Sequence, residues 1–311
     1  MRNWRHLNLR RREPRLLRRL RGYRILDWVR EACRESIRAL RHRESPHSAA
    51  EIVVRALENF PDLGVEVARE ALSMEGYWRD LLLDMVALRA PGSVLEALDY
   101  NVGMTIFRAH SIDISSAPSV GVELYTFLLK HYRRLAREDE RFLPQLAETL
   151  NNLGLALSYK GRLEEAIGRY EEALEYYRRL AREDERFLPY VAGTLNNLGN
   201  ALRRKNEFDE AIEKYREALS YVPHSSNLPW HRLILAESHA GLGLAFLAEG
   251  DPDLGTAHLC NALDFLLYPR PLPYPDARPL LEDCVESLLP LRDELDDECR
   301  KRLERAISLK G

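Results

Sequence analysis

The sequence predicts an all-α fold of the solenoid type, in which antiparallel helix pairs are stacked one after another. Three observations predict it. Thirteen residues at Tyr132–Pro144 return unchanged at Tyr177–Pro189, 45 positions later. Apolar residues within each repeat have the spacing of one helix face. The chain has no strand-like alternation, and a fixed period of this size is typical of stacked structural units.

Each repeat is predicted to contain two helices separated by a short break. In the first repeat the break falls at Gly161, since glycine readily ends a helix. Gly154 and Ala166 are small enough to let the two helices approach closely, and Tyr170 is expected to fill the space beside them. The apolar stripes are formed by Leu150, Leu153 and Leu157 in the first helix and by Ala166, Tyr170 and Ala173 in the second.

This pattern resembles the tetratricopeptide repeat family, in its long-repeat variant that reads LNNLG. The matching positions are Leu153-Gly154, Ala166, Tyr170 and Ala173 in one unit, Leu198-Gly199, Ala211, Tyr215, Ala218 and Pro223 in the next, and Leu242-Gly243, Phe246, Gly250, Gly255, Leu259 and Ala262 in a third. A fourth, degenerate unit contains Asn101-Val102-Gly103 and Tyr125. The resemblance implies a right-handed superhelix that binds extended peptides along its concave face.

Five segments are predicted along the chain. They are a basic arm with an amphipathic helix (1–45), an N-terminal helical region (46–95), the repeat superhelix (96–265), a proline-rich connection (266–278) and C-terminal capping helices (279–311). Within the N-terminal region, Ser48 is expected to cap a helix and Pro61 to open another. Further helices are predicted near residues 77–88 and 94–107.

The first 43 residues contain 15 arginines and four acidic residues, which gives this segment a charge of +11 and leaves −14 for the rest. Residues 15–42 have the apolar spacing of an amphipathic helix. Three interpretations compete. The arginines form a solvated face of a docked helix, residues 1–14 result from a misassigned start codon, or the arm binds an anionic membrane or nucleic acid.

The chain lacks the uninterrupted apolar run of a signal peptide and the roughly 20 apolar residues of a membrane span, so a cytoplasmic protein is expected. Its four cysteines, Cys33, Cys260, Cys284 and Cys299, have no CxxC spacing. They are interpreted as small core residues in a reducing compartment, although intracellular disulfides occur in hyperthermophiles.

The stretch Tyr268–Pro275 contains four prolines and cannot be helical. Proline-rich segments serve as ligands for other proteins, but a stiff connection that turns the chain is the favoured interpretation here. Two helices are predicted to follow, at residues 279–289 and 292–309, and to cap the end of the solenoid.

Partner-binding residues are predicted on the first helices, where side chains point away from the leucine stripe. These are Asn151, Asn152, Leu155, Ser158, Tyr159, Asn196, Asn197, Asn200, Arg203 and Arg204. An amide both donates and accepts, which suits a peptide backbone. The alternative is that the asparagines bond only to neighbouring repeats. With Lys205, the two arginines form a basic cluster that is expected to engage an acidic segment or a terminal carboxylate.

Catalysis is not expected. The nine histidines include no HExxH pair, and His239 is interpreted as buried packing. Gly241-Leu-Gly243 lies inside a helical repeat with no preceding strand, so it is not a dinucleotide loop. We therefore predict a protein interaction scaffold without metal or cofactor, which could also self-associate. The alternative function is binding of nucleic acid or an anionic membrane surface through the arginine-rich arm.

Overall fold

The computed structural model describes residues 24–41, 46–74, 77–90, 92–97, 113–273 and 277–309. The chain divides into two compact units, one ending at Glu123 and the other beginning at Leu124. The boundary falls inside one helix. The basic arm before residue 24 and the Asn101-Val102-Gly103 motif of the fourth repeat lie outside the described residues.

The described part of the first unit is helical. Its helices are α1 (Arg24–Arg41), α2 (Pro46–Asn59), α3 (Gly64–Leu72), α4 (Tyr77–Arg89) and α5 (Ser93–Ala97), with a 3₁₀ turn at Pro61–Leu63. The predicted apolar stripe of α1 is buried through Val29, Cys33, Ile37 and Leu40. Helix α2 already begins at Pro46, so Ser48 lies in its first turn and is not the residue preceding the helix.

The second unit is also built from helices, joined by short non-helical connections in its described residues. After α6 (Pro118–Glu138), which contains the boundary, come three helix pairs: α7 (Leu143–Tyr159) with α8 (Leu163–Glu183), α9 (Leu188–Arg204) with α10 (Phe208–Tyr221), and α11 (Pro229–Glu249) with α12 (Pro252–Leu267). Each pair packs on the next in chain order. The predicted all-α solenoid is thus confirmed. No described helix is long and apolar enough to cross a membrane.

Identical sequence produces identical helix starts. Asp139 accepts a hydrogen bond from the backbone N–H of Arg141, and Asp184 accepts the same bond from Arg186, both at 3.0 Å. Each bond caps a 3₁₀ turn that leads into the first helix of a repeat. A proline then follows in the first turn of that helix, where its missing N–H costs nothing.

The break between the two helices of a repeat needs a left-handed residue. Gly161 has φ 74° after α7, and Asn206, 45 positions later, has φ 65° after α9. Glycine and asparagine are the residues that tolerate this conformation best. The predicted role of Gly161 is therefore confirmed, and Asn206 takes the same role in the second repeat.

The helices of a pair meet where a glycine faces a tyrosine ring. A Cβ atom added at Gly154 would come within 2.6 Å of the ring of Tyr170, and one at Gly199 within 2.7 Å of Tyr215. Both rings are almost fully buried. The sequence prediction for this contact is confirmed in the first pair, and the second pair repeats it.

Ion pairs join the second helices of successive repeats. Arg133 on α6 bonds to Glu172 on α8 at 2.6 Å, and Arg178 on α8 bonds to Glu217 on α10 at 2.6 Å. The two pairs are equivalent positions one repeat apart. Because these side chains are partly exposed, each pair is expected to add less than about 1 kcal/mol of stability.

The solenoid ends in two capping helices, α13 (Ala277–Leu288) and α14 (Asp297–Ser308). The described part of the proline-rich stretch, residues 268–273, is not helical, as predicted. A disulfide bond joins Cys260 on α12 to Cys299 on α14. The expectation of four reduced core cysteines is therefore wrong for these two, while Cys33 and Cys284 are buried and free.

Two histidines meet in the interior of the third pair. Nδ1 of His239 on α11 lies 2.9 Å from Nδ1 of His258 on α12, and the His239 ring stacks on Phe265. Burial, followed by the nearby His258 and His224, lowers the pKa of His239 to about 4. Burial and the charge of Arg216 also lower the pKa of His258. The predicted role of His239 as buried packing is confirmed.

This pair makes folding sensitive to acid. The folded chain keeps His239 neutral, whereas the unfolded chain takes up a proton near pH 6.5, so stability is expected to fall as the pH drops from about 6.5 towards 4. One proton contributes at most about 1.4 kcal/mol per pH unit. Urea unfolding at several pH values gives the free energy of unfolding as a function of pH. Below pH 6.5 the slope of this free energy against pH should be shallower for His239→Asn, which cannot take up a proton, than for the unaltered chain. Equal slopes for the two proteins would contradict this account.

Candidate partner-binding groove

An open cavity of about 640 Å³ runs across the first helices of the three pairs. Seven of the ten predicted partner-binding residues line it: Leu155, Ser158, Tyr159, Asn197, Asn200, Arg203 and Arg204. They come from α7 and α9, which lie side by side because the helix pairs stack in order. We call this cavity the groove. The structure thus brings most of the predicted residues to one surface.

Asn196 is not part of that surface. Its side chain is 1% exposed, its amide nitrogen donates to the backbone oxygen of Ile234 at 3.1 Å, and its oxygen accepts from Ser238 at 2.7 Å. Both partners belong to α11. This corrects the prediction for Asn196, because the residue holds two neighbouring repeats together and cannot contact a partner.

Asn151 and Asn152 occupy an intermediate position. Both are half-buried. Asn151 accepts a hydrogen bond from the amide of Asn197 at 3.1 Å and donates to the oxygen of Asn152 at 3.4 Å. The three amides therefore form a chain across the junction of α7 and α9. Bonding between repeats, one of the two roles considered for the asparagines, is thus observed, while Asn197 and Asn200 also line the groove.

The two arginines of the groove differ in their contacts. Nη1 of Arg204 donates to the backbone oxygen of Ser158 at 2.8 Å and to its hydroxyl at 2.7 Å, so Arg204 is held by the preceding repeat. Arg203 is half-buried, and its Nε is buried without a hydrogen-bond partner among the described residues. Lys205 pairs instead with Glu207 at 2.8 Å and Glu164 at 3.6 Å, which removes it from the predicted basic cluster.

The model of the tetratricopeptide repeat family matches residues 145–224, which hold the first two pairs and most of the groove. This segment is a tetratricopeptide repeat array. The crystal structure of BtubC (BKLC) from P. vanneervenii is similar over 82% of this chain and 92% of that one, with 19% identity and a TM-score of 0.45. A computationally designed self-assembling cyclic homooligomer matches over 92% and 95%, with 13% identity and a TM-score of 0.17. No curated protein matches the sequence.

Sequence reasoning missed the part of the groove that the third helix pair supplies. Gly241 and Leu244 line the cavity from α11. They stand 44 positions after Asn197 and Asn200, which is the spacing between the two Leu-Gly pairs, so the repeat alignment could have identified them. Pro279, Leu280 and Asp283 of the capping helix α13 also line the groove, and no repeat pattern points to them.

These additional residues change the electrostatics of the site. Arg203 and Arg204 supply positive charge from α9, while Glu237 on α11 and Asp283 on α13 supply negative charge to the same cavity. The groove therefore has basic and acidic parts.

Tyr215 supports the floor of the groove beneath Asn200. Its hydroxyl donates to the Asn200 side-chain oxygen at 2.7 Å, which fixes the orientation of that amide. Burial raises the pKa of this hydroxyl to about 12, although the neighbouring Arg203 guanidinium opposes the rise. The hydroxyl therefore remains protonated and acts as the donor to the Asn200 side-chain oxygen.

The described ranges contain no group of three or more histidine, cysteine, aspartate or glutamate side chains placed to hold an ion.

Proposed function

We propose that the chain is a protein interaction scaffold that binds an extended segment of a partner protein in the groove. Tetratricopeptide repeats generally mediate protein–protein interactions. The observation that carries the proposal is the convergence of seven independently predicted residues on one open cavity. Amides, two arginines and apolar side chains together offer hydrogen bonds, charge and buried contact area to a peptide.

The arginines are proposed to bind an acidic side chain or a terminal carboxylate. Micromolar affinity requires about 8 kcal/mol, and a neutral hydrogen bond contributes only about 0.5–1.5 kcal/mol. The amides of Asn197 and Asn200 therefore supply a minor share. Charge-assisted bonds from Arg203 and Arg204 and apolar contacts with Leu155 and Leu244 are needed for the remainder.

The proposal predicts the effect of charge reversal. Arg203→Glu with Arg204→Glu is expected to weaken binding of the partner by about tenfold or more, because both arginines line the groove. A matched control is Arg137→Glu with Arg182→Glu, which changes the net charge equally at two exposed positions on second helices. Affinity for a partner identified by nuclease-treated affinity purification should be measured by calorimetry with both variants and the unaltered chain.

The same experiment distinguishes the alternative function of the arginine-rich arm. A truncation lacking residues 1–43 is expected to retain the protein partner. If the intact chain captured only nucleic acid or lipid, and the truncation lost it, the scaffold proposal would be wrong. Binding through the arm should also fall steeply with salt, whereas groove binding should fall less. The cytoplasmic location stays a prediction, which localisation of the tagged chain would test.

A further inference from the structure

A second surface of the repeat array is rich in aromatic rings and lies apart from the groove. The ring of Tyr190 stacks on that of Tyr177, with 5.6 Å between the ring centroids. Its centroid also lies 5.9 Å from that of Phe187 and 6.3 Å from that of Trp230. The Trp230 and His231 ring centroids are 4.3 Å apart. Tyr190 is 51% exposed and Trp230 37%. We call these five residues the aromatic row. Four of the five, all but the buried Tyr177, line a cavity of about 700 Å³.

The helical repeat does not require this exposure. The thirteen identical residues that end at Pro144 and Pro189 are followed by Gln145 in one repeat and by Tyr190 in the next. Both residues are exposed at the same place in the first turn of a first helix. Since glutamine serves there equally well, Tyr190 is not needed for the packing of its own repeat. An exposed apolar patch of this kind is typical of an interaction site.

The lining of the cavity restricts what it can hold. Apart from Glu185, Arg186 and His231, the wall consists of aromatic, leucine and proline side chains. Arg186 forms an ion pair with Asp184, and Nδ1 of His231 is hydrogen-bonded to the Ser226 hydroxyl. A buried backbone N–H without a partner is costly, so the best occupant has few of them. Proline has none, and proline-rich segments bind aromatic-lined surfaces in other proteins.

The chain itself presents such a segment. Pro269, Pro271 and Pro273 are exposed after α12, and so is Arg270 between them. Contacts with the rest of the same chain hold this segment in place. Arg232 donates to the backbone oxygen of Arg270 at 2.9 Å, and Leu272 is buried with its N–H bonded to Leu266. Residues 268–273 do not line the cavity of their own copy, so this segment would have to come from a second copy to occupy it.

We propose that the chain self-associates, with the proline-rich segment 268–273 of one copy bound against the aromatic row of another. Exposed prolines meet exposed rings, and the cationic Arg270 meets the carboxylate of Glu185, which has no ion-pair partner within the described ranges. Cation and ring faces are also mutually attractive. This interface uses residues outside the groove, so the groove stays open for a partner protein.

Sedimentation equilibrium of the full chain tests the proposal. The mass should rise above the 36.0 kDa of one chain as the concentration is raised from about 1 to 200 µM. Trp230→Ala and, separately, Pro271→Ala with Pro273→Ala should each weaken association by about tenfold or more. Leu254→Ala is the control, because it removes an exposed apolar side chain outside both the aromatic row and the groove and should leave association unchanged.

Charge exchange keeps the test decisive if a ring variant fails to fold. Glu185→Arg and Arg270→Glu should each weaken association, and the double variant should recover it, since identical copies then carry the reversed pair. A single species of 36.0 kDa at every concentration would overturn the proposal. Association that neither Trp230→Ala nor the proline variant alters would overturn it as well, whether or not the groove binds a partner.

Discussion

Loss of the Cys260–Cys299 bond is expected to lower the free energy of unfolding of the C-terminal region by roughly 4 kcal/mol, the chain-entropy value for a closed loop of this length. The bond joins positions 39 residues apart, with 5.4 Å between their Cα atoms. The loop that it closes contains all of α13, which lines the groove. Loosening it should therefore weaken partner binding as well as stability.

Urea unfolding of three samples measures this effect. They are the oxidised chain, the chain reduced with dithiothreitol, and Cys260→Ala with Cys299→Ala. The reduced chain should unfold at a lower urea midpoint than the oxidised chain. The midpoint of the double variant should be the same with and without the reductant. An oxidised chain that unfolds at the same urea concentration as its reduced form would show that the bond contributes no stability.

Gly241→Ala is expected to destabilise the fold by about 2–3 kcal/mol, at the upper end of the usual range for overpacking. The ring of Tyr215 is buried between Gly199 on α9 and Gly241 on α11. A methyl group at Gly241 would overlap the ring carbons. The ring cannot move away from this methyl group, because Gly199 packs against its other side. The overlap can therefore be removed only if the third repeat moves away from the second.

Gly193→Ala is the matched control for this substitution. Gly193 lies in the middle of α9, and a Cβ there would meet no atom within 4 Å. Alanine should therefore stabilise the chain by about 0.5–1 kcal/mol through its better helix propensity. Thermal unfolding of both variants decides the matter. If Gly241→Ala were as stable as Gly193→Ala, the ring contact would not limit the spacing of the repeats.

The parts of the fold that repeat in the sequence are the parts that could be predicted. Gly154, Tyr170 and Gly161 were assigned correctly, because each has a defined local requirement for size or backbone conformation. Asn196 and Asn197 show the limit. Both point away from the leucine stripe of their own helix, and only the position of α11 decides that Asn196 is buried and Asn197 reaches the groove.

Features that join segments without a repeat pattern were not predictable. The cysteine spacing did not indicate that Cys260 and Cys299 meet, because their distance depends on how α14 folds back on α12. In the same way, Asp283 enters the groove only through the packing of α13. The charge of the site consequently differs from the basic cluster that Arg203, Arg204 and Lys205 predicted.

The ion pairs Arg133–Glu172 and Arg178–Glu217 have a consequence for how such a gene changes length. The two pairs are one 45-residue period apart, and so are the thirteen identical residues around them. A recombination event that duplicated one period would recreate the same ion pair, turn and glycine contact at the new junction. Insertions and deletions of a whole period should thus yield folded proteins with longer or shorter arrays, whereas other lengths would break the register.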